Sequence, residues 1–315
     1  MKRTELCFTL LLVMLMLAGT FSYTKTCLAG DVLRSGLQAE ISGEEGDVLV
    51  SNDAAGRVST AHRDCRSSVK IPILMYHGIQ ESSKKESEYF ISAARFESDL
   101  KWLKNHGYTT VLPSQLTAYV DRGAVLPEKP VLLTFDDGYC NNYIYAFPLL
   151  EKYHMKALIS LIGVDSDLAS NDIYRVEASC NLNWGEVAIM ARSGLVEIGN
   201  HTYDLHQIKG GRKGADQKKG EDLNAYHKLL FDDLMHNQEK IKEAAGVSPL
   251  VFAWPYGAYP QDRNADQVLK DLGIRMSVNS YQRTSTITQG DAESLYGLGR
   301  YLRTPEFALE TILEM

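Results

Sequence analysis

The sequence predicts an α/β chain, a distorted (β/α) barrel in a single domain. Three observations lead there. Short apolar runs alternate with amphipathic helical patterns from about Val69 onward, and that alternation is the mark of parallel βα units. Six or more such units over the remaining length favour a closed barrel over an open sheet. With 44% hydrophobic and 23% charged residues in 315, the chain has enough apolar material for a large core and is neither disordered nor fibrous.

The elements follow in order. Ile71–Met75 opens the domain as a strand. Ser92 caps a helix to about Asn105, with Phe96, Leu100 and Leu103 on one face and Gly107 as the stop. Thr109–Leu112 reads as a strand, and Pro113 starts a second helix. Val131–Phe135 is a buried-type strand, Tyr143–Tyr153 a helix and Ala157–Ile162 a strand. Val164–Leu182 reads as a loop shaping a groove. Asn183 caps a helix to Ser193, closed by Gly194, and Val196–Gly199 is the next strand. A polar insert, Lys209–Gly220, precedes a long helix at Asp222–Ala245. Then come strand Leu250–Trp254, a helix at Arg263–Leu272 stopped by Gly273, and strand Ile274–Val278.

The domain is preceded by two other segments. Residues 1–29 carry Lys2 and Arg3, then thirteen uncharged residues from Leu6 to Ala18. They are expected to form a secretory signal peptide, with an uncleaved N-terminal anchor as the alternative. The chain is therefore expected to be exported, either secreted or held at the cell surface. Residues 30–68, rich in Gly, Ser, Asp and Glu, read as a flexible linker, which leaves 69–315 as the catalytic domain. Net charge is −7 with no basic block, which argues against a nucleic-acid partner, and no protein partner is implied. Cys65, Cys140 and Cys180 match neither a zinc knuckle nor a disulfide framework; one bridge is admissible, on which the fold should not depend, and the expectation is small buried thiols.

In parallel α/β folds the residues just past the strand C-termini line the site. Here those positions hold Tyr76 and His77, then Asp136, Asp137 and Gly138, then Asn200 and His201 with His206 close behind, and finally Pro255, Tyr256 and Gly257. One carboxylate with two imidazoles, and a coordination position left over, suits a catalytic divalent metal. Zinc fits this N/O set best, with nickel or cobalt also admissible. Adjacent aspartates on a strand end point in opposite directions, so one of the pair is left free as a base.

Taken together, these residues resemble the polysaccharide deacetylase family, the NodB-homology or carbohydrate esterase family 4 hydrolases, over about Val69 to Leu302. Thr134-Phe135-Asp136-Asp137-Gly138-Tyr139 matches the family's first motif. That match implies Asp136 as general base and Asp137 as metal ligand. His201-Thr202-Tyr203-Asp204-Leu205-His206 resembles the second motif, one residue longer than the common form, and implies His201 and His206 as the other ligands. Trp254-Pro255-Tyr256-Gly257 resembles the third, whose backbone amide at Tyr256 would help hold an oxyanion.

The chain departs from the common pattern in two places. Ala253 stands where the third motif usually has arginine, and no Leu-x-His follows Val278. Ile73-Leu74-Met75-Tyr76-His77 instead resembles the circularly permuted branch that includes poly-β-1,6-N-acetylglucosamine deacetylases. On that resemblance His77 is the general acid and Met75 lines the acetyl-methyl pocket. Arg300 and Arg303 are candidates for the missing arginine. Tyr139 and Tyr256, beside Pro255, would offer substrate-binding faces, and so would Trp254, for which packing in the barrel is an equal reading. The implied function is metal-dependent removal of N-acetyl groups from an N-acetylglucosamine-containing extracellular or cell-wall polysaccharide. The alternatives are a non-catalytic carbohydrate-binding protein on the same barrel, or another metal-dependent amidohydrolase.

Overall fold

The computed structural model describes residues 48–52, 58–62, 66–171 and 180–314. The expected signal segment, Cys65 and most of the expected linker lie outside them. Two compact units are present, Met1–Arg63 and Asp64–Met315. In the first, Val48–Asn52 and Val58–His62 pair as an antiparallel hairpin, where the sequence reading had expected only linker. The cue passed over was a pair of short β-branched runs in an otherwise polar stretch.

The second unit is built on a curled, all-parallel sheet. Its strands are β1 (Ile73–Tyr76), β2 (Pro130–Phe135), β3 (Ala157–Leu161), β4 (Val196–Asn200), β5 (Val251–Ala253), β6 (Met276–Val278) and β7 (Tyr301–Leu302). The spatial order is β6-β5-β4-β3-β2-β1-β7. Leu298 bridges Val278 while Tyr301 pairs with Leu74, so residues 298–302 run from one sheet edge to the other and complete the distorted barrel. A short strand Ser68–Ile71 pairs antiparallel with Ser285–Thr288. Thr109–Thr110 pairs with the start of β2 and is shorter than expected.

The helices are α1 (Ala93–Asn105), α2 (Pro113–Arg122), α3 (Phe147–Tyr153), α4 (Gly163–Asn171), α5 (Trp184–Arg192), α6 (Leu223–Ala245), α7 (Asp266–Asp271) and α8 (Leu309–Glu314). Ser92 and Asn183 cap α1 and α5 through their side chains, as expected. Part of the expected Val164–Leu182 loop is helical, and at its first residue, Gly163, the chain approaches Asn237 and Tyr203 so closely that a Cβ would strike both. A single π-helical turn, Asn142–Ala146, leads into α3. Among the described residues no helix is long and apolar enough to cross a membrane.

Side-chain parity organises the core. Ile73, Leu132, Leu158, Val251, Ala253, Met276, Val278 and Leu298 share one apolar cluster. Leu74, Leu133, Phe135, Ile159 and Tyr301 belong to a second, under α1, α3 and α5. Successive strand residues therefore alternate between barrel interior and helix-covered exterior.

Candidate active site

Parity carries directly into the site. Two residues on from Ile73 and Leu132 the interior positions are Met75 and Thr134, and two further on they are His77 and Asp136. On β7's approach Leu298 is interior, so Arg300 is interior too. These side chains converge at the C-terminal mouth because each continues an inward-facing row.

The loops past the strands leave regular geometry at once. Asp137 has φ 68°, Thr202 φ 75° and Tyr256 φ 56°, all left-handed. Gly138 follows at φ 69°, and a Cβ there would come within 2.8 Å of Leu161. Helix α6 fixes the loop between the two histidines. Asp233 accepts the backbone N–H groups of Tyr203 (2.8 Å) and Asp204 (2.9 Å). The buried Asn237 amide lies within 3.0 Å of the carbonyls of Leu161 and Thr202 and of the Asn200 side chain.

Within this frame Asp137, His201 and His206 bring one donor atom each to within 4.8 Å of one another. Both imidazole Nε2 atoms stand 3.4 Å from Asp137 Oδ1. His201 Nδ1 donates to the Ala253 carbonyl at 2.7 Å, which leaves its Nε2 lone pair facing the cluster. The nitrogen, nitrogen and oxygen donors fit an open divalent transition-metal site. Burial, then the neighbouring His201, lowers His206 to about 4, so it is neutral and able to ligate at any ordinary pH. Burial would lower His201 too, but the Asp136 and Asp137 carboxylates outweigh it and raise its pKa.

Asp136, 3% exposed, points away from the ligand set into a bidentate pair with Arg300, at 2.8 Å and 2.7 Å. Arg300 is itself 1% exposed and is locked by Nε donating to the Asn279 carbonyl at 2.8 Å. Burial alone would raise the Asp136 carboxyl; the Arg300 guanidinium, with His201, holds it well below the usual carboxylate range. Of the two candidate arginines, Arg300 is the one that pairs with Asp136. Arg303 does not: its guanidinium pairs with buried Asp99, beside the Tyr76 hydroxyl.

His77 lies among these groups. Burial lowers its pKa, opposed by the charges of Asp136 and Asp137 and reinforced by Arg300. Its Nδ1 is buried without a hydrogen-bond partner, and its ring meets Tyr89 edge-on at 4.9 Å. Tyr89, 48% exposed, went unnoticed in the sequence because it sits in a polar loop with no periodic signal.

The remaining candidates divide. Tyr256 is 40% exposed, its ring 4.6 Å from His206 and its hydroxyl 3.4 Å from the His206 carbonyl. Pro255 is buried beneath it against Gly214 of the polar insert, which forms a small hairpin. Met75 is buried on the interior row. Tyr139 packs on Phe90, and burial together with the adjoining Asp137 carboxylate raises its pKa. Trp254 presents no face to the surface. It is fully buried against Phe252 and Tyr259, because its strand position points outward under α6 and α7. Cys140 and Cys180 are not free thiols but a disulfide, with Cα atoms 5.4 Å apart across a separation of 40 residues. Spacing missed the pair because neither cysteine has a sequence-local partner.

Comparison with known proteins places this geometry. Residues 123–277 match the family model described as polysaccharide deacetylase. YxkH of Bacillus subtilis, named for polysaccharide deacetylation, is 30% identical over 75% of this chain and 72% of its own length. The poly-β-1,6-N-acetyl-D-glucosamine N-deacetylase of Escherichia coli is 27% identical, and the match covers 64% of this chain but only 33% of that longer protein. Among solved structures, a de-N-acetylase from Aggregatibacter actinomycetemcomitans has a TM-score of 0.64 at 29% identity, covering 78% of this chain and 99% of the other. IcaB from Ammonifex degensii gives 0.60 at 30% identity, covering 75% and 93%. Likeness over that much of both chains, in sequence and in backbone, makes this protein a member of the polysaccharide deacetylase family.

Proposed function

We propose that the protein is a metal-dependent N-deacetylase acting outside the cytoplasm on a polysaccharide containing N-acetylglucosamine, with zinc as the metal. The observation that carries this is the division of labour between neighbours: Asp137 joins two imidazoles while Asp136 is turned aside and held ionised by Arg300. A carbohydrate-binding protein gains nothing from a buried, bidentately held carboxylate next to a ligand set.

Asp137, His201 and His206 would hold the ion. When bound, a divalent ion polarises the acetyl carbonyl and makes a nearby water more acidic. Asp136 takes the proton from the attacking water, and Arg300 fixes the orientation of the receiving oxygens. The Tyr256 backbone N–H faces the developing oxyanion, a contribution of about 3–4 kcal/mol for a well-placed donor. His77 delivers a proton to the departing amine, which is too basic to leave as an anion. Met75 bounds the acetyl-methyl pocket.

The polymer assignment rests on the named relatives, among which poly-β-1,6-N-acetyl-D-glucosamine deacetylases recur. Export is supported by the apolar segment after Arg3 and by the Cys140–Cys180 disulfide, a bond that persists in oxidising compartments. The test is acetate release from poly-β-1,6-N-acetylglucosamine, chitin oligomers and peptidoglycan by zinc-loaded protein, with and without chelator. Release from the first, abolished by chelator, is expected. No release from any of the three would end the proposal.

A further inference from the structure

The stretch from Asp137 to Cys140 is fastened to residues 180–182 at several points. Cys140 N–H donates to the Cys180 carbonyl at 3.0 Å, and Leu182 N–H donates to the Gly138 carbonyl at 2.8 Å. Between them Tyr139 and Asn181 form an antiparallel pair. The disulfide closes this patch three residues beyond the ligand.

Fastening is needed at this place. Asp137 and Gly138 are consecutive left-handed residues at the end of a strand, φ 68° and 69°, and a glycine there resists few other conformations. Two backbone hydrogen bonds alone hold such a segment only modestly. A ligand carboxylate must meanwhile be kept within about 0.5 Å of its working position.

We propose that the Cys140–Cys180 disulfide is a positioning device for the metal ligand Asp137, pinning residues 138–140 against 180–182 so that the carboxylate meets the two imidazoles at ligand distance. This rests on the metal-site reading above and extends it: the affinity of the site for its ion becomes dependent on the oxidation state of these cysteines. Reduction by a dithiol breaks the S–S bond with two electrons and two protons, giving two thiols and the oxidised, cyclic reductant. The metal site is then fully formed only where the bond can form.

The experiment measures zinc affinity of the full chain by competition with a chromophoric chelator, without substrate. The C140A/C180A double variant, which has no thiols at these positions to take zinc themselves, is compared with wild type well below its melting temperature. Affinity should fall about tenfold or more, within the roughly 10–100-fold range seen when a group supporting a ligand is removed. Saturating zinc should return turnover toward the wild-type value, which a general loss of structure would not allow. If the double variant gives no cooperative melt, wild-type protein is reduced after folding, freed of dithiothreitol and measured anaerobically. It is then reoxidised, and recovery of affinity on reoxidation is the expected result. Equal affinity in the disulfide-bonded and disulfide-free forms overturns the positioning role. A wild-type chain that binds no divalent ion would instead overturn the proposed function.

Discussion

Replacing Arg300 with methionine tests the core of the site reading. Methionine fills much of the arginine stem volume but removes both bonds to Asp136 and the bond to Asn279. Since both residues are almost fully buried, the variant strands a carboxylate without a partner, at a cost of about 3–5 kcal/mol. For a domain of this size each kcal/mol lowers Tm by about 2–4 °C, so a drop of about 6–20 °C is expected. The sign of the pH effect follows from the balance at Asp136. In wild type the guanidinium overcomes burial and keeps the carboxyl low, so its stabilisation is present above the ordinary carboxylate pKa and is lost as pH falls. In R300M only burial and weaker fields remain, and the pKa rises. The variant's Tm deficit should therefore shrink as pH falls, while its turnover at neutral pH drops about 10²–10⁴-fold and partly recovers on raising pH, as the base ionises. The D136N/R300M double variant should regain most of the lost Tm without regaining turnover. Acetate release and thermal melts from pH 5 to 9 decide the matter. Unchanged neutral-pH turnover in R300M, with an unshifted acid limb, would refute the positioning of Asp136 by Arg300.

Three further outcomes follow from the same geometry. His77→Ala should lose about 10²–10⁴-fold in turnover with zinc content unchanged, and loss of zinc would make His77 a ligand instead. Zinc affinity should fall about tenfold per pH unit below the raised pKa of His201, because one proton must leave before that imidazole can ligate; competition titrations between pH 5.5 and 8 that give a flat profile would contradict the assignment. Trp254→Ala should cost about 3–5 kcal/mol of stability through the cavity it leaves, with KM for the polymer unchanged at a temperature where the variant is folded, whereas a KM effect larger than the stability loss would return Trp254 to the groove.

The sequence made the strand ends readable because a buried strand forces period-two alternation. Once Leu132 is interior, Asp136 is interior as well, and the same count works for His77. Arg300 was reachable only as one of two candidates, since Gly299–Arg303 is nearly patternless and just the pairing of Tyr301 with Leu74 fixes which arginine turns inward. Asp233 and Asn237 could not be found at all. They lie mid-helix on α6, about thirty residues from the loop they hold, and nothing local distinguishes them from a polar helix face. Trp254 stayed open between groove and core because motif proximity says nothing about which side of the strand a ring occupies. The sequence admits one bridge without naming its partners for a related reason, as contact between residues 40 apart is a property of the fold.

Of the five non-glycine residues with left-handed backbone among the described residues, three are Asp137, Thr202 and Tyr256, each in or beside the loops of the candidate site. Each such conformation costs about 1–3 kcal/mol, which glycine would largely avoid. At Thr202 that exchange is open, and a Thr202→Gly chain could be sturdier than its parent. At Asp137 the same exchange would discard the oxygen proposed to hold the metal. Robustness and chemistry thus compete for the identity of a single residue, and a campaign that selected only for heat tolerance would drift toward a well-behaved barrel with nothing left to catalyse.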